Sequence, residues 1–269
     1  MEISLLIRNQ LMSLSRPRVM AIINFSPDSF YTSCDVSREA DILSHVEEAL
    51  RSGADILDLG ACSTRPDSTP VDAATEWQLL SEGLKIIRHH WHDVPISVDT
   101  FRADIAECAI AMGADMINDV SGANADPRMW ELDAKHHIPY VLTHAQSVAE
   151  PAMVDVLHFL EQYMDKLHRQ GVADVIVDPG FGFGKTVEQN YALLRQLDVL
   201  QTLHAPVLVG VSRKSMLYKP LNTTPNDVLS ATIAANTLAL ERGAHILRVH
   251  DVKAAVQAIQ VHQLTNPCP

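Results

Sequence analysis

Residues 95–119 read PISVDTFRADIAECAIAMGADMIND. A short apolar run, Pro95 to Val98, closes on Asp99; a longer segment follows; a second apolar run begins at Met116 and ends on Asn118 and Asp119. Two short runs separated by a helix-length connection form the unit of a parallel sheet, because parallel neighbours need a crossover of a dozen or more residues.

The same unit recurs along the chain. The runs with strand character are Val19 to Asn24, Ile56 to Gly60, Pro95 to Val98, Met116 to Asp119, Tyr140 to Thr143, Val175 to Val177, Val207 to Gly210 and Ile246 to Val249. Between them, Trp77, Leu80, Leu84, Ile87 and Trp91, and again Val156, Leu160, Tyr163 and Leu167, recur at spacings of three and four, which puts each set on one helical face. Thr186 with Gln189, and Thr224 before Pro225 with Asp227, carry the pattern of helix starts, in which a side-chain oxygen satisfies orphan backbone N–H groups. Eight such alternations predict an α/β fold, a (β/α)8 TIM barrel forming a single domain over 1–269, with 1–18 an N-terminal extension packing on it. A doubly wound open sheet is the alternative.

Composition agrees with one large globular domain. The 269 residues are 47% hydrophobic and 20% charged, which excludes disordered and fibrous classes, and barrels of this kind run to about 250 residues. With 21 basic against 33 acidic residues the net charge is −12, so no general attraction to nucleic acid or to anionic lipid is expected. No stretch approaches the length of a membrane helix, and the first 18 residues lack the features of a secretory signal. Cys34, Cys62, Cys108 and Cys268 form no CxxC pair, the usage of inert, reduced thiols in a cytoplasmic protein.

In such a barrel the site lies where the strands end. Polar residues stand there at nearly every run: Asn24; Thr64 and Arg65; Asp99; Asn118 and Asp119; His144; Asp178; Ser212 and Lys214; Arg248 and His250. Singly each is an ordinary turn or capping residue, but eight strands converge on one mouth. Asp99, Asn118 and Asp178 offer acceptors suited to the N–H edge of a planar heterocycle such as a pterin or purine. Arg65, Lys214, Arg248 and His250 suit a phosphate or carboxylate. Arg248 and His250, and likewise Ser212 and Lys214, stand two apart, so an extended backbone would turn each pair to one side.

Asp178-Pro-Gly-Phe-Gly-Phe-Gly-Lys-Thr186 is neither a Walker A loop, since Pro179 stands where that motif needs glycine, nor a dinucleotide fingerprint, since Lys185 occupies the third glycine position. Its glycines instead let the backbone turn sharply toward a ligand, with Phe183 as a wall. His89-His90 and His136-His137 lack the spacing of a helical metal site.

Taken in order, NFSPDSF (24–30), STRP (63–66), SVDT (97–100), INDVSG (117–122), DPGFGFGKT (178–186), SRKS (212–215) and RVHD (248–251) resemble the motifs of the dihydropteroate synthase family over nearly the whole chain. The resemblance implies a cytoplasmic, homodimeric transferase of folate biosynthesis and sulfonamide target, which condenses p-aminobenzoate with dihydropterin pyrophosphate (6-hydroxymethyl-7,8-dihydropterin pyrophosphate), assisted by Mg2+. Carried onto this sequence, it gives Asp99, Asn118, Asp178 and Lys214 to the pterin. Asn24, Arg65, Arg248 and His250 fall to the pyrophosphate, with Asn24 also at the metal. Thr64, Pro66, Gly182, Phe183, Lys214 and Ser215 fall to p-aminobenzoate, and Asp28, Ser29 and Phe30 to a lid. Lys214, Arg248, His250 and Asp99 are the catalytic set.

The family pattern is not copied throughout. Ala61-Cys62 and Asp67 stand where members commonly carry Gly-Glu and Gly, the fifth-strand motif reads His144-Ala145-Gln146-Ser147, and the lid continues as Tyr31-Thr-Ser-Cys34. Two alternatives use the same heterocycle edge: a pterin-dependent methyltransferase, which needs no pyrophosphate cations, and a catalytically silent pterin-binding paralogue.

Overall fold

The computed structural model describes residues 3–25, 39–61, 71–122 and 125–266. The chain opens with an antiparallel hairpin, β1 (Ser4–Ile7) and β2 (Gln10–Ser13), turned by Arg8 and Asn9, both at positive φ. Eight parallel strands follow: β3 (Arg18–Asn24), β4 (Ile56–Gly60), β5 (Ile96–Asp99), β6 (Met116–Asp119), β7 (Tyr140–Thr143), β8 (Val175–Asp178), β9 (Leu208–Val209) and β10 (Ile246–Val249). They pair in the order β8-β7-β6-β5-β4-β3-β10-β9, and a parallel bridge between Val177 and Val207 brings the two ends together, closing the barrel. The open-sheet alternative is thereby set aside.

All eight expected strands are present. Pro95 drops out of the third because it has no N–H to donate, although its carbonyl still accepts from Leu57. Asp99 and Asp178 are the last residues of their strands rather than the first of the loops. The run at Val207 to Gly210 shortens to two residues.

Around the barrel lie α1 (Glu39–Arg51), α2 (Ala73–His90), α3 (Ala103–Ala111), α4 (Arg128–His136), α5 (Ala152–Gln170), α6 (Val187–Arg195), α7 (Ser215–Tyr218), α8 (Leu229–Leu240) and α9 (Val252–Thr265). The expected capping box opens α6, with Thr186 Oγ1 accepting from Gln189 N–H and Gln189 Oε1 from Thr186 N–H. The second signal behaves differently: Thr224 hydroxyl donates to the Asp227 carboxylate across a single 3-10 turn, and α8 starts only at Leu229. On α2 and α5 the apolar stripes face the core, with Leu80, Leu84, Ile87, Val156, Leu160 and Leu167 buried and Trp77, Trp91 and Tyr163 half-buried against them.

Strand alternation sorts the interior into two chemistries. One set of side chains, Val19, Ala21, Leu57, Leu59, Val98, Ile117, Leu142, Val177 and Leu247 among them, packs outward on the helices. The other set points inward. Toward the strand starts it is apolar, Met20, Ile56, Met116, Val141, Ile176, Leu208 and Ile246, and Leu5, Ile7 and Leu14 of the hairpin segment pack onto it from below. Two residues further along the same strands it turns polar, with Asp58, Asn118 and Arg248. The hairpin seals one end, so the open chemistry gathers at the other. Among the described residues no helix is long and apolar enough to cross a membrane.

Candidate active site

Four strands meet at a charged network. Arg248 of β10 donates from Nε to Asp58 Oδ2 at 2.6 Å and from Nη2 to Asp99 Oδ2 at 2.7 Å, and Asn118 Nδ2 donates to the same Asp58 oxygen at 3.2 Å. Asp58, Asp99 and Asn118 are all buried. Burial outweighs the pull of Arg248 and, with Asp58 and Asp119 nearby, raises the Asp99 carboxyl to about 7. For Arg248 burial acts against the charge, but Asp58 and Asp99 more than offset it and hold the guanidinium protonated.

Across the mouth, Asp178 accepts from Gly180 N–H at 2.7 Å, and burial raises its pKa against the field of Lys214. Lys214, the residue preceding α7, donates from Nζ to the Phe181 carbonyl and lies 4.7 Å from the Phe183 ring centroid. Burial lowers its pKa to about 8, with Asp178 and Asp99 opposing. Gly182 has a φ of +85°, and a Cβ there would stand 3.2 Å from Lys214 Cδ. Only glycine permits both the turn and the close approach.

Ser212 and His250 meet through Oγ and Nδ1 at 3.1 Å, linking the seventh and eighth strand ends. The period-two reading does not hold for Ser212 and Lys214, because Arg213 between them is left-handed at φ 55°. Its guanidinium forms a two-pronged pair with Asp251 at 2.8 Å and also donates to the carbonyls of Pro225 and Asn226. A tertiary anchor, not an extended strand, sets the direction of these side chains.

Asn24 ends β3 at the same mouth, and Ser215 opens α7 beside Lys214. Thr64, Arg65, Pro66, Asp28, Ser29 and Phe30 lie outside the described residues, as do Cys34, Cys62 and Cys268; Cys108 is exposed on α3. Two strand-end residues turn away from the mouth. Asp119 accepts from Tyr140 Oη at 2.7 Å and from Ser121, and the His144 ring lies edge-on to Phe159 of α5, the centroids 4.8 Å apart. Asp58 escaped the sequence analysis because it sits mid-strand in ILDLG, where its polarity is the one irregularity in an apolar run.

The mouth thus joins acceptors at strand ends β5, β6 and β8 to cations at β10 and before α7. Among the described residues there is no group of three or more His, Cys, Asp or Glu able to hold a metal by itself. The arrangement suits a flat heterocycle bearing N–H donors and, next to it, an anionic group. This is the chemistry of a pterin-binding barrel.

Comparison with known proteins agrees. The family described as "Pterin binding enzyme" matches residues 20–250. The dihydropteroate synthase of Clostridium beijerinckii is 37% identical over 242 residues, covering 88% of this chain and 90% of its own length. That of Escherichia coli K12 is 36% identical over 266 residues, covering 94% and 93%. Among solved structures, Xanthomonas albilineans dihydropteroate synthase with 4-aminobenzoic acid matches at TM-score 0.92 and 35% identity, covering 100% of both chains. The Yersinia pestis enzyme in a sulfonamide drug complex matches at TM-score 0.93 and 33% identity, covering 99% of this chain and 100% of that one. The chain belongs to the dihydropteroate synthase family.

Proposed function

We propose that this protein joins p-aminobenzoate to 6-hydroxymethyl-7,8-dihydropterin pyrophosphate, releasing 7,8-dihydropteroate and pyrophosphate. The observation that carries this reading is the convergence of Asp99, Asn118 and Asp178 with Lys214 and Arg248 on one barrel mouth. In the reaction the amine lone pair forms a C–N bond to the pterin methylene, the C–O bond breaks with its electrons on pyrophosphate, and the amine proton is lost to solvent. Asp99 and Asp178 favour the positive charge that develops on the pterin side. Arg248 and His250 stabilise the departing oxyanion, and Lys214, between Asp178 and the Phe183 wall, touches both halves of the site. An arylamine is neutral at pH 7 and already nucleophilic, so positioning is the larger task.

Mg2+ fits this site as a companion of the substrate, since it is typically bound by one or two protein oxygens plus phosphate oxygens, and Asn24 offers such an oxygen at the mouth. When bound it would neutralise charge on the pyrophosphate. Arg65, Thr64 and Pro66, with the lid residues Asp28, Ser29 and Phe30, complete the proposed anion, p-aminobenzoate and closure roles, alongside Gly182, Phe183 and Ser215.

The test is pyrophosphate release by the purified protein with Mg2+ and the dihydropterin pyrophosphate, with and without p-aminobenzoate. Release that depends on p-aminobenzoate and matches dihydropteroate formed supports the reading; pterin binding without product marks a silent paralogue. Lys214→Ala is expected to fold and to make no product.

A cytoplasmic homodimer is part of the same proposal. Exposed Leu229 and Leu238 on α8 and Val261 and Leu264 on α9 supply apolar surface for a second copy. Sedimentation at micromolar concentration decides between monomer and dimer.

A further inference from the structure

We propose that Lys185 is a positioning residue for the arylamine substrate: it clamps the glycine-rich turn after β8 onto the end of β7 and thereby fixes the wall against which Lys214 works. The proposal rests on the synthase reading above.

Lys185 Nζ donates to three backbone carbonyls, those of His144 at 2.8 Å, Gly180 at 2.9 Å and Phe183 at 3.1 Å. Three acceptors match the three N–H donors of an ammonium, and a neutral amine would leave one carbonyl unserved. The contact is backbone on backbone: a Cβ on Gly180 would come within 1.9 Å of the His144 carbonyl oxygen, and one on Gly184 within 2.7 Å of Ser147 N. A second tether works from α6, where buried Asn190 accepts from Gly182 N–H at 2.7 Å and donates to the carbonyls of Lys185 and Thr186. What the clamped turn presents is the Phe181 carbonyl, bonded to Lys214 Nζ, and the Phe183 ring, 4.7 Å from it. The titratable groups facing Lys185 are Asp178 of β8, Asp155 of α5, Lys214 and the neutral His144 ring.

Steady-state kinetics of Lys185→Met test this. The expected result is a KM for p-aminobenzoate raised about tenfold or more, with kcat and the KM for the pterin pyrophosphate within about threefold of wild type. Amide hydrogen exchange should rise in 180–184 and stay unchanged in the barrel strands. An unchanged p-aminobenzoate KM, or equal losses for both substrates, overturns the proposal, as does faster exchange across the whole barrel. If Lys185→Met does not fold, Asn190→Ala, which cuts the second tether of the same turn, is read against the same criteria. A wild-type protein that makes no dihydropteroate defeats the synthase reading instead, so the two failures are distinct.

Discussion

Arg248 and Asp99 are partners across the mouth, Nη2 to Oδ2 at 2.7 Å, so the group assigned to the departing anion begins bound to the group assigned to the pterin. Asp58 holds the same guanidinium through its Nε. On the proposed assignment, substrate binding redistributes an existing ion pair rather than filling an empty socket.

Arg248→Met leaves two buried carboxylates without their counter-charge. Removing one partner of a buried pair costs about 3–5 kcal/mol, and that loss is expected at pH 8. The sign of the pH dependence follows from linkage. Asp99, already raised by burial, loses the cation that opposed that rise, so its folded pKa stands further above its unfolded one, the folded state binds more protons, and stability recovers as pH falls. Urea unfolding at pH 8 and pH 5 checks this; equal losses at both would mean that the carboxylates are not compensated by Arg248.

Asp99 itself, raised to about 7 by burial, sets a pH window in the wild type. Between its unfolded pKa near 4 and about 7 the native state holds a proton the unfolded state has released, so this residue's stabilising contribution is lost as pH rises through that window. Pterin binding is expected to run the other way, because the proposed acceptor is the carboxylate. Affinity for a dihydropterin is expected to weaken on acidification from pH 8 to pH 6, approaching about tenfold per unit below pH 7. Calorimetric titration across that range measures it, and a flat profile would remove Asp99 from the pterin edge.

The barrel was legible because its strands are short runs apolar on both faces, bounded by polar turns, and because the stripes of α2 and α5 keep helical spacing. Asp99, Asn118, Asp178 and Lys214 were legible because a barrel brings strand ends together. Asp58 was not, since it lies inside a strand and only the inward register at Ile56 and Asp58 exposes its role. Buried Glu76 on α2 was hidden likewise: it sits on the core face and is satisfied by Thr100 and Arg102, a tertiary pairing that periodicity does not encode. The β1–β2 hairpin escaped because Arg8 and Asn9 take positive φ without the Asn-Gly or Gly signature of such turns.

Gly83 lies in mid-helix, where Gly→Ala usually gains up to about 1 kcal/mol. Here a Cβ would stand 2.3 Å from the tip of the Phe25 ring, which is buried just after β3. Gly83→Ala is therefore expected to destabilise by about 1–3 kcal/mol through overpacking, reversing the usual sign. Denaturant midpoints decide; a stabilised variant would show that Phe25 moves freely.

His144 is buried with neither ring nitrogen hydrogen-bonded among the described residues, edge-on to Phe159 and with Nε2 3.9 Å from Asp155. Burial, with Lys185 nearby, lowers its pKa to about 4. In acid the unfolded chain takes up a proton near its ordinary pKa of about 6.5 that the native ring refuses, so stability drains as pH falls from there toward 4. His144→Phe removes the titrating group and keeps the backbone carbonyl that Lys185 uses. At pH 7.5 the variant should lie within about 1 kcal/mol of wild type, because a buried polar group without partners contributes little. At pH 4.5 it should be the more stable, by up to about 3 kcal/mol. Urea midpoints at the two pH values test the pair of statements together: superimposable acid losses would mean that His144 accepts its proton in place, with Asp155 as counter-ion.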